Sequence, residues 1–215
     1  MTVWTIVVAA GRGTRFGGPK SGVEVAGRRV VDWSLRSARA VSDGVVLVVP
    51  PGEEFRPVAG ADLVVGGRAS RSGSVRAGLE AVPPDATVIV VHDAARPAAS
   101  SSLFRAVVEA VVAGADAAVP GVGLVDTVKR VGASGIVEET LDRERLVAVQ
   151  TPQAFSAVAL RRAHAGDAAA TDDAALVERL GGRVVVVEGE PGNRKLTTPD
   201  DLIPLAEALR ERVQV

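Results

Sequence analysis

Cysteine is absent from the 215 residues, which excludes disulfides, iron–sulfur clusters, thiolate zinc sites and a cysteine nucleophile, and accords with a reducing compartment. Tyrosine is also missing. Four Phe and two Trp supply the whole aromatic fraction of 3%, too little for the stacking platforms that single-stranded nucleic acid requires. With two His, a His-rich metal site is not expected. Neither sign of charge dominates: 25 Lys and Arg face 26 Asp and Glu for a formal charge of -1, so no general affinity for polyanions follows and no nucleic-acid partner is expected. No apolar run approaches the roughly 18 residues of a membrane helix, and Met1-Thr2-Val3-Trp4-Thr5 lacks a basic leader. The expectation is a cytoplasmic protein with no membrane partner. What is present, 47% hydrophobic and 24% charged residues, is the composition of a folding globular chain, and the length suits one domain over 1–215.

Short Val-rich runs bounded by Gly, Pro or Asp predict buried strands at Val3 to Ala10, Val45 to Val49, Leu63 to Val65, Thr87 to Val91, Ala117 to Pro120 and Arg183 to Val187. Helical apolar spacing lies between them, at Val30 to Val41, Ser74 to Val82, Ser101 to Ala113, Ala157 to His164, Asp172 to Leu180 and Pro199 to Arg212. The alternation predicts an α/β fold with a mostly parallel twisted sheet flanked by helices. Thr198 ahead of Pro199 offers a capping hydroxyl, with Asp200 and Asp201 favourable to the positive helix end; Gly181-Gly182 ends the preceding helix. One segment departs from the alternation. Residues 121–146 hold two β-type runs around Gly132-Ala133-Ser134-Gly135, read as a projecting β-hairpin arm with little core of its own, of a kind often stabilised by packing on another subunit.

Three motifs carry chemistry. The loop after the first strand runs Ala9-Ala10-Gly11-Arg12-Gly13-Thr14-Arg15-Phe16-Gly17-Gly18-Pro19-Lys20, in which glycines let backbone N–H groups converge on a phosphate while Arg15 and Lys20 add positive charge. It lacks the Gly-Lys-Ser/Thr ending of a Walker loop, and Phe16 stands where a dinucleotide fingerprint needs its third glycine. His92-Asp93-Ala94-Ala95-Arg96-Pro97 ends a strand at the edge where open α/β sheets bind ligands, so Asp93 and Arg96 should lie beside the loop to recognise hydroxyl and phosphate groups. His92 reads as a structural residue, having no companion ligand. Asn193-Arg194-Lys195 brings a lysine to a strand-to-helix junction across the crevice.

In order along the chain, Ala9-Ala10-Gly11-Arg12-Gly13-Thr14-Arg15 with Pro19-Lys20, Gly66-Gly67 with Arg71 and Ser74-Val75, His92 to Pro97, Asp126-Thr127-Val128-Lys129, Gln150-Thr151-Pro152-Gln153, Thr171-Asp172-Asp173 and Lys195 make a set that resembles the 2-C-methyl-D-erythritol 4-phosphate cytidylyltransferase family of the non-mevalonate isoprenoid pathway. The resemblance covers nearly the whole chain. It implies a Rossmann-like nucleotidyltransferase domain that moves a cytidylyl group from CTP to methylerythritol phosphate with release of pyrophosphate. It also implies roles. Arg15, Lys20 and Lys195 are catalytic, the first two on the CTP phosphates and leaving pyrophosphate and the third on the α-phosphate. Ala9, Ala10, Gly11, Gly13, Gly67 and Ser74 hold CTP; Asp93, Arg96, Thr127, Arg143, Thr151 and Thr171 face the polyol phosphate. Magnesium is held mainly by the CTP phosphates, with no protein cluster assigned to it. The family's arm exchange implies a homodimer, in which Thr127 and Arg143 complete the other subunit's pocket. The nearest rival is a cytidylyltransferase for another polyol phosphate such as ribitol 5-phosphate, disfavoured by Ala95 where valine is usual in that group. An NAD-binding oxidoreductase is disfavoured by Phe16 and by Pro50-Pro51 where an acid should end the second strand.

Overall fold

A strand that is apolar at consecutive positions needs cover on both faces of its sheet. The computed structural model, which describes residues 1–11, 13–54, 56–166, 170 and 172–213, has that arrangement. The strands are β1 (Val3–Val8), β2 (Glu24–Val25), β3 (Arg28–Arg29), β4 (Gly44–Val49), β5 (Leu63–Gly66), β6 (Val88–Asp93), β7 (Ala117–Gly123), β8 (Val128–Val131), β9 (Val137–Leu141), β10 (Val147–Val149), β11 (Gln153–Ser156) and β12 (Val184–Glu188). The helices are α1 (Val30–Arg39), α2 (Arg71–Ala81), α3 (Ser101–Val112), α4 (Ala157–Ala163), α5 (Ala174–Arg179) and α6 (Leu202–Val213). The main sheet has eight strands in the order β10-β7-β11-β6-β1-β4-β5, with β12 also on β7. β1 pairs in parallel with both β4 and β6, β4 with β5, and β7 with β12.

Every residue of β4 and β6 is buried, and the period of two sends alternate side chains to opposite faces. Val45, Leu47, Val88 and Val90 pack under α1 and α3, whereas Val46, Val48, Ile89 and Val91 pack under α2, α4 and α5. A third cluster lies at one end, where Leu205 and Leu209 of α6 meet Trp33, Val30 and Leu196, with Phe16 of the glycine loop against them. Leu205 and Leu209 are four apart on one helix face and wholly buried, each worth about 2 kcal/mol of stability on leaving water.

The six expected strands and the expected helices are present, with ends displaced by a few residues. Three features differ from expectation. β11 runs antiparallel between β6 and β7, pairing Phe155 with Ile89 and with Ala117. Its four residues carry little periodic signal, and its place comes from partners distant in the chain. Helix α6 begins with a 3-10 turn at Pro199–Asp201, and there the Asp201 carboxylate accepts from the N–H groups of Thr197 and Thr198, at 2.7 and 2.8 Å, and from the Thr198 hydroxyl. Thr198 is the N-cap, as expected, and Asp201 at the third helical position completes a capping box with it. Helix α2 starts at Arg71, earlier than expected, because Ser70 accepts from Gly73 N and serves as its N-cap.

Within residues 121–146 the two β-type runs pair as a hairpin. At the edge of the main sheet Val147 and Val149 of β10 pair with Gly123 and Gly121 of β7, and beyond this root β8 and β9 make a separate antiparallel ribbon. Gly135, at φ 78°, closes its turn by donating to the Gly132 carbonyl. The arm leaves apolar side chains in water, Val125 at 84% and Ile136 at 68% exposure, with Val131 and Val137 about half exposed.

Candidate active site

The carboxyl ends of β1, β4, β5 and β6 surround a cleft of about 760 Å³, lined by Ala9 to Gly11 after β1, Pro50 and Glu53 after β4, Arg68 to Arg71 after β5, and Asp93 to Ala95 at the end of β6. This is the crevice expected on either side of a central strand whose two neighbours are reached in opposite directions along the chain. Arg15, Lys20 and Lys195 line it as well.

The glycine loop is built differently from the expectation. The N–H groups of Phe16, Gly17 and Gly18 all donate to the Gly13 carbonyl, at 2.9, 3.1 and 3.2 Å. Gly13 sits at φ 61°, and a side chain there would meet the Gly18 carbonyl. Gly13 thus closes the turn without lining the cleft, and the chain from Ala9 to Gly11 faces the cavity in its place. Past the turn, Lys20 Nζ donates to the Leu196 carbonyl at 2.9 Å, which ties the loop to the residue after Lys195. Partial burial, and then the nearby Lys195 and Arg15 charges, lower the proton affinity of Lys20. Cations held this close together invite an anion.

Lys195 Nζ donates to Asp93 Oδ2 at 2.6 Å, and Arg71 Nε donates to Asp93 Oδ1 at 3.0 Å. Burial alone would raise the Asp93 pKa, but Arg71 and Lys195 overcome it and hold the carboxyl well below the usual carboxylate range. The Asp93 N–H donates to Thr151 Oγ1 at 3.0 Å, and that hydroxyl also bonds His92 Nδ1 at 3.1 Å. His92 is fully buried beside Phe104, and desolvation pushes its pKa down to about 3, so it is a neutral structural residue as expected.

A second cavity of about 260 Å³ adjoins the first, lined by Arg96, Thr151, Gln153 and Asp172. Arg71, Asp93 and Lys195 line both. Arg96 Nη1 donates to the Asn193 carbonyl at 2.8 Å, and the buried Asn193 amide donates to the Thr151 carbonyl at 2.9 Å, so the Lys195 segment is pinned to this wall.

Of the residues expected to hold a nucleotide, Ala9, Ala10, Gly11, Arg15, Lys20, Ser74 and Lys195 line the larger cavity. Gly67 does not. It lets the chain pass close to Ala10 and Ser74, where a Cβ would come within 2.9 Å of Ser74 Oγ. Ser74 Oγ accepts from Arg68 N at 3.1 Å and donates back to Ser70 or Arg68 carbonyls, so the hydroxyl shapes its own loop and has only acceptor capacity left for a ligand. Asp93, Arg96 and Thr151 line the smaller cavity. Thr127 and Arg143 are on the arm and line neither, with Arg143 donating to the Val125 carbonyl. Thr171 lies outside the described residues. Sequence reasoning noticed Arg71, Gln153 and Asp172 without giving them a task, because a single polar residue on a first helical turn or short strand carries no periodic or spacing signal.

The family model described as 2-C-methyl-D-erythritol 4-phosphate cytidylyltransferase (IspD) matches residues 3–212. The 2-C-methyl-D-erythritol 4-phosphate cytidylyltransferase of Nocardia farcinica is 47% identical over 229 residues, covering 98% of this chain and 95% of its own. The crystal structure of the enzyme of that name from Thermus thermophilus superposes with a TM-score of 0.80 at 37% identity, over 96% of this chain and 98% of that one. The 4-diphosphocytidyl-2C-methyl-D-erythritol synthase of Anaerococcus prevotii gives a TM-score of 0.83 at 30% identity, over 98% and 99% of the two chains.

Proposed function

The chain belongs to the 2-C-methyl-D-erythritol 4-phosphate cytidylyltransferase family, and from that premise we propose how its residues carry the reaction. The protein is a cytidylyltransferase that transfers a cytidylyl group from CTP to 2-C-methyl-D-erythritol 4-phosphate in isoprenoid precursor synthesis. A phosphate oxygen of the polyol attacks the α-phosphorus, the bond from that phosphorus to the bridging oxygen breaks, and pyrophosphate departs with the electron pair. The attacking phosphate is already largely ionised near neutrality, its second pKa being about 6, so no protein base is needed. In keeping with that, Asp93 is held ionised between two cations and His92 is buried and neutral.

One observation carries the assignment: the Asp93–Lys195 pair lines both cavities and so stands where the two substrates meet. The larger cavity takes CTP. Its triphosphate lies along Ala9 to Gly11 with Arg15 and Lys20 on the leaving pyrophosphate and Lys195 on the α-phosphate. Cytosine is read by backbone groups near Ala9 and Ala10 and by the acceptor capacity of Ser74. The smaller cavity takes the polyol phosphate, with Asp93 on its hydroxyls and Arg96 on its charge.

Among the described residues no group of three His, Asp or Glu side chains is arranged to hold a cation. The donor set fits an ion ligated mainly by the nucleotide, with Asp93 and Glu53 the carboxylates lining that cleft. When bound, magnesium neutralises phosphate charge and fixes the fold of the triphosphate. Among the described residues no helix is long and apolar enough to cross a membrane, and the site of action we infer is the cytoplasm, with residues 1–215 working as one domain.

Pyrophosphate release tests the substrate pair directly. We expect release with CTP and methylerythritol phosphate, and little with UTP, GTP, ATP or ribitol 5-phosphate. Release with ribitol 5-phosphate alone would reassign the smaller cavity to another polyol.

The arm of residues 121–146 is proposed to cross to a second subunit, supported by its exposed Val125 and Ile136 and by the absence of Thr127 and Arg143 from the lining of their own chain's two cavities. Lys20→Ala and Arg143→Ala are each expected to be nearly inactive alone. Mixed and reassociated, they should recover about a quarter of wild-type activity, since random pairing makes half the dimers mixed and each mixed dimer has one intact site. No recovery after subunit exchange has been verified would place Arg143 in its own chain's pocket or in none.

A further inference from the structure

From the seam between the cavities a line of bonded charges runs inward. Lys195 meets Asp93, Arg71 Nε holds the other Asp93 oxygen, Arg71 Nη1 donates to Asp173 Oδ2 at 2.7 Å, and Asp173 Oδ1 bonds His164 Nε2 at 3.0 Å. The outer members are partly open to the cleft, whereas the side chains of Asp173 and His164 are 0% and 1% exposed. We propose that Arg71 is a positioning residue for cytidylyl transfer: it fixes the Asp93 carboxylate so that one oxygen stays engaged while the other serves Lys195 and the incoming polyol, and Asp173 with His164 locks the guanidinium from behind.

The geometry requires an arginine. The Nε edge and the Nη1 end of one planar group point at two different carboxylates, on β6 and at the start of α5, and a lysine has a single nitrogen that cannot span both. Anchoring helix α2 does not explain the contact, since Ser70 already caps that helix. The chemical consequence concerns Lys195. As negative charge grows on the α-phosphate, Lys195 must turn toward it, and Asp93 can release Lys195 only if another cation keeps its charge balanced. Arg71 does this while remaining in place. Without it, Asp93 retains Lys195, and the carboxylate loses the fixed orientation that presents it to the polyol.

The inference rests on the reading that Asp93 faces the polyol phosphate, and the experiment separates the two. Arg71→Ala, Arg71→Lys, Asp173→Asn and Asp93→Ala are compared for kcat and for both KM values, each at a temperature where its thermal melt shows it folded. For Arg71→Ala the expected result is a fall of at least ~10-fold in kcat/KM for methylerythritol phosphate, with the KM for CTP within about threefold of wild type. Guanidinium ion at low, non-denaturing concentration should restore part of that loss, and should not restore Asp93→Ala. Arg71→Lys should lose at least ~3-fold, and Asp173→Asn, which touches neither cavity, should move the same parameter in the same direction. If Asp93→Ala raises the polyol KM selectively while folded Arg71→Lys and Asp173→Asn match wild type, the positioning role is wrong and the reading of Asp93 stands. If Asp93→Ala raises both KM values equally, that reading falls and the role of Arg71 with it.

Discussion

Turnover of Lys20→Ala is expected to fall at least ~100-fold, about 2.7 kcal/mol of barrier, with the fold unchanged. The lysine lies on the cleft wall, outside the packed core, and its loop is closed by the Gly13 carbonyl and by Phe16 packing against the cluster of Leu205 and Leu209, none of which the substitution touches. Its far-ultraviolet circular dichroism should therefore match wild type, and its melting temperature should fall by no more than the loss of the one bond to the Leu196 carbonyl explains. The kinetic effect comes from charge. Lys20 is held beside Lys195 and Arg15 by its bond to the Leu196 carbonyl, an arrangement that burial and like-charge repulsion disfavour in the empty cleft. That repulsion is relieved by the triphosphate and most by the pyrophosphate as its charge grows, so the interaction is stronger in the transition state than in the ground state. A turnover within a few-fold of wild type would remove Lys20 from the leaving group.

Asp93→Ala is expected to raise the KM for methylerythritol phosphate by ~10-fold or more, the worth of one charge-assisted hydrogen bond, and the KM for CTP by much less. It should also lower stability by about 3 kcal/mol, because the side chain is 11% exposed and its loss takes the partner from Lys195 and leaves Arg71 with Asp173 alone. Titration with urea measures the second effect, and steady-state kinetics with each substrate varied in turn measures the first. Equal changes in both KM values would move Asp93 out of the polyol cavity. Asp93→Asn separates the two roles further, since it keeps the shape and one acceptor while removing the charge that balances the two cations.

The alternation of Val-rich runs with amphipathic stretches was enough to name an α/β sheet covered on both faces, because burial of consecutive apolar residues has few solutions. The motifs placed Asp93 at a strand end and Lys20 and Lys195 in loops that follow strands, on the edge where the sheet must open a crevice. The glycine-rich spacing marked a turn, and the β8–β9 hairpin was visible as two β-type runs around a glycine-bounded turn with no helix between. Local chemistry alone determined each of these. Whether a group's hydrogen-bonding capacity is already engaged was beyond local chemistry. Thr151 supports the Asp93 backbone and His92, 58 and 59 residues away, and those partners are fixed by how the chain closes on itself. β11 owes its place to β6 and β7, far away in sequence. Arg71 is the clearest instance. Its two carboxylates, Asp93 and Asp173, stand 22 and 102 residues along the chain, and only the packing of α2 and α5 against one face of the sheet brings both within reach of a single guanidinium.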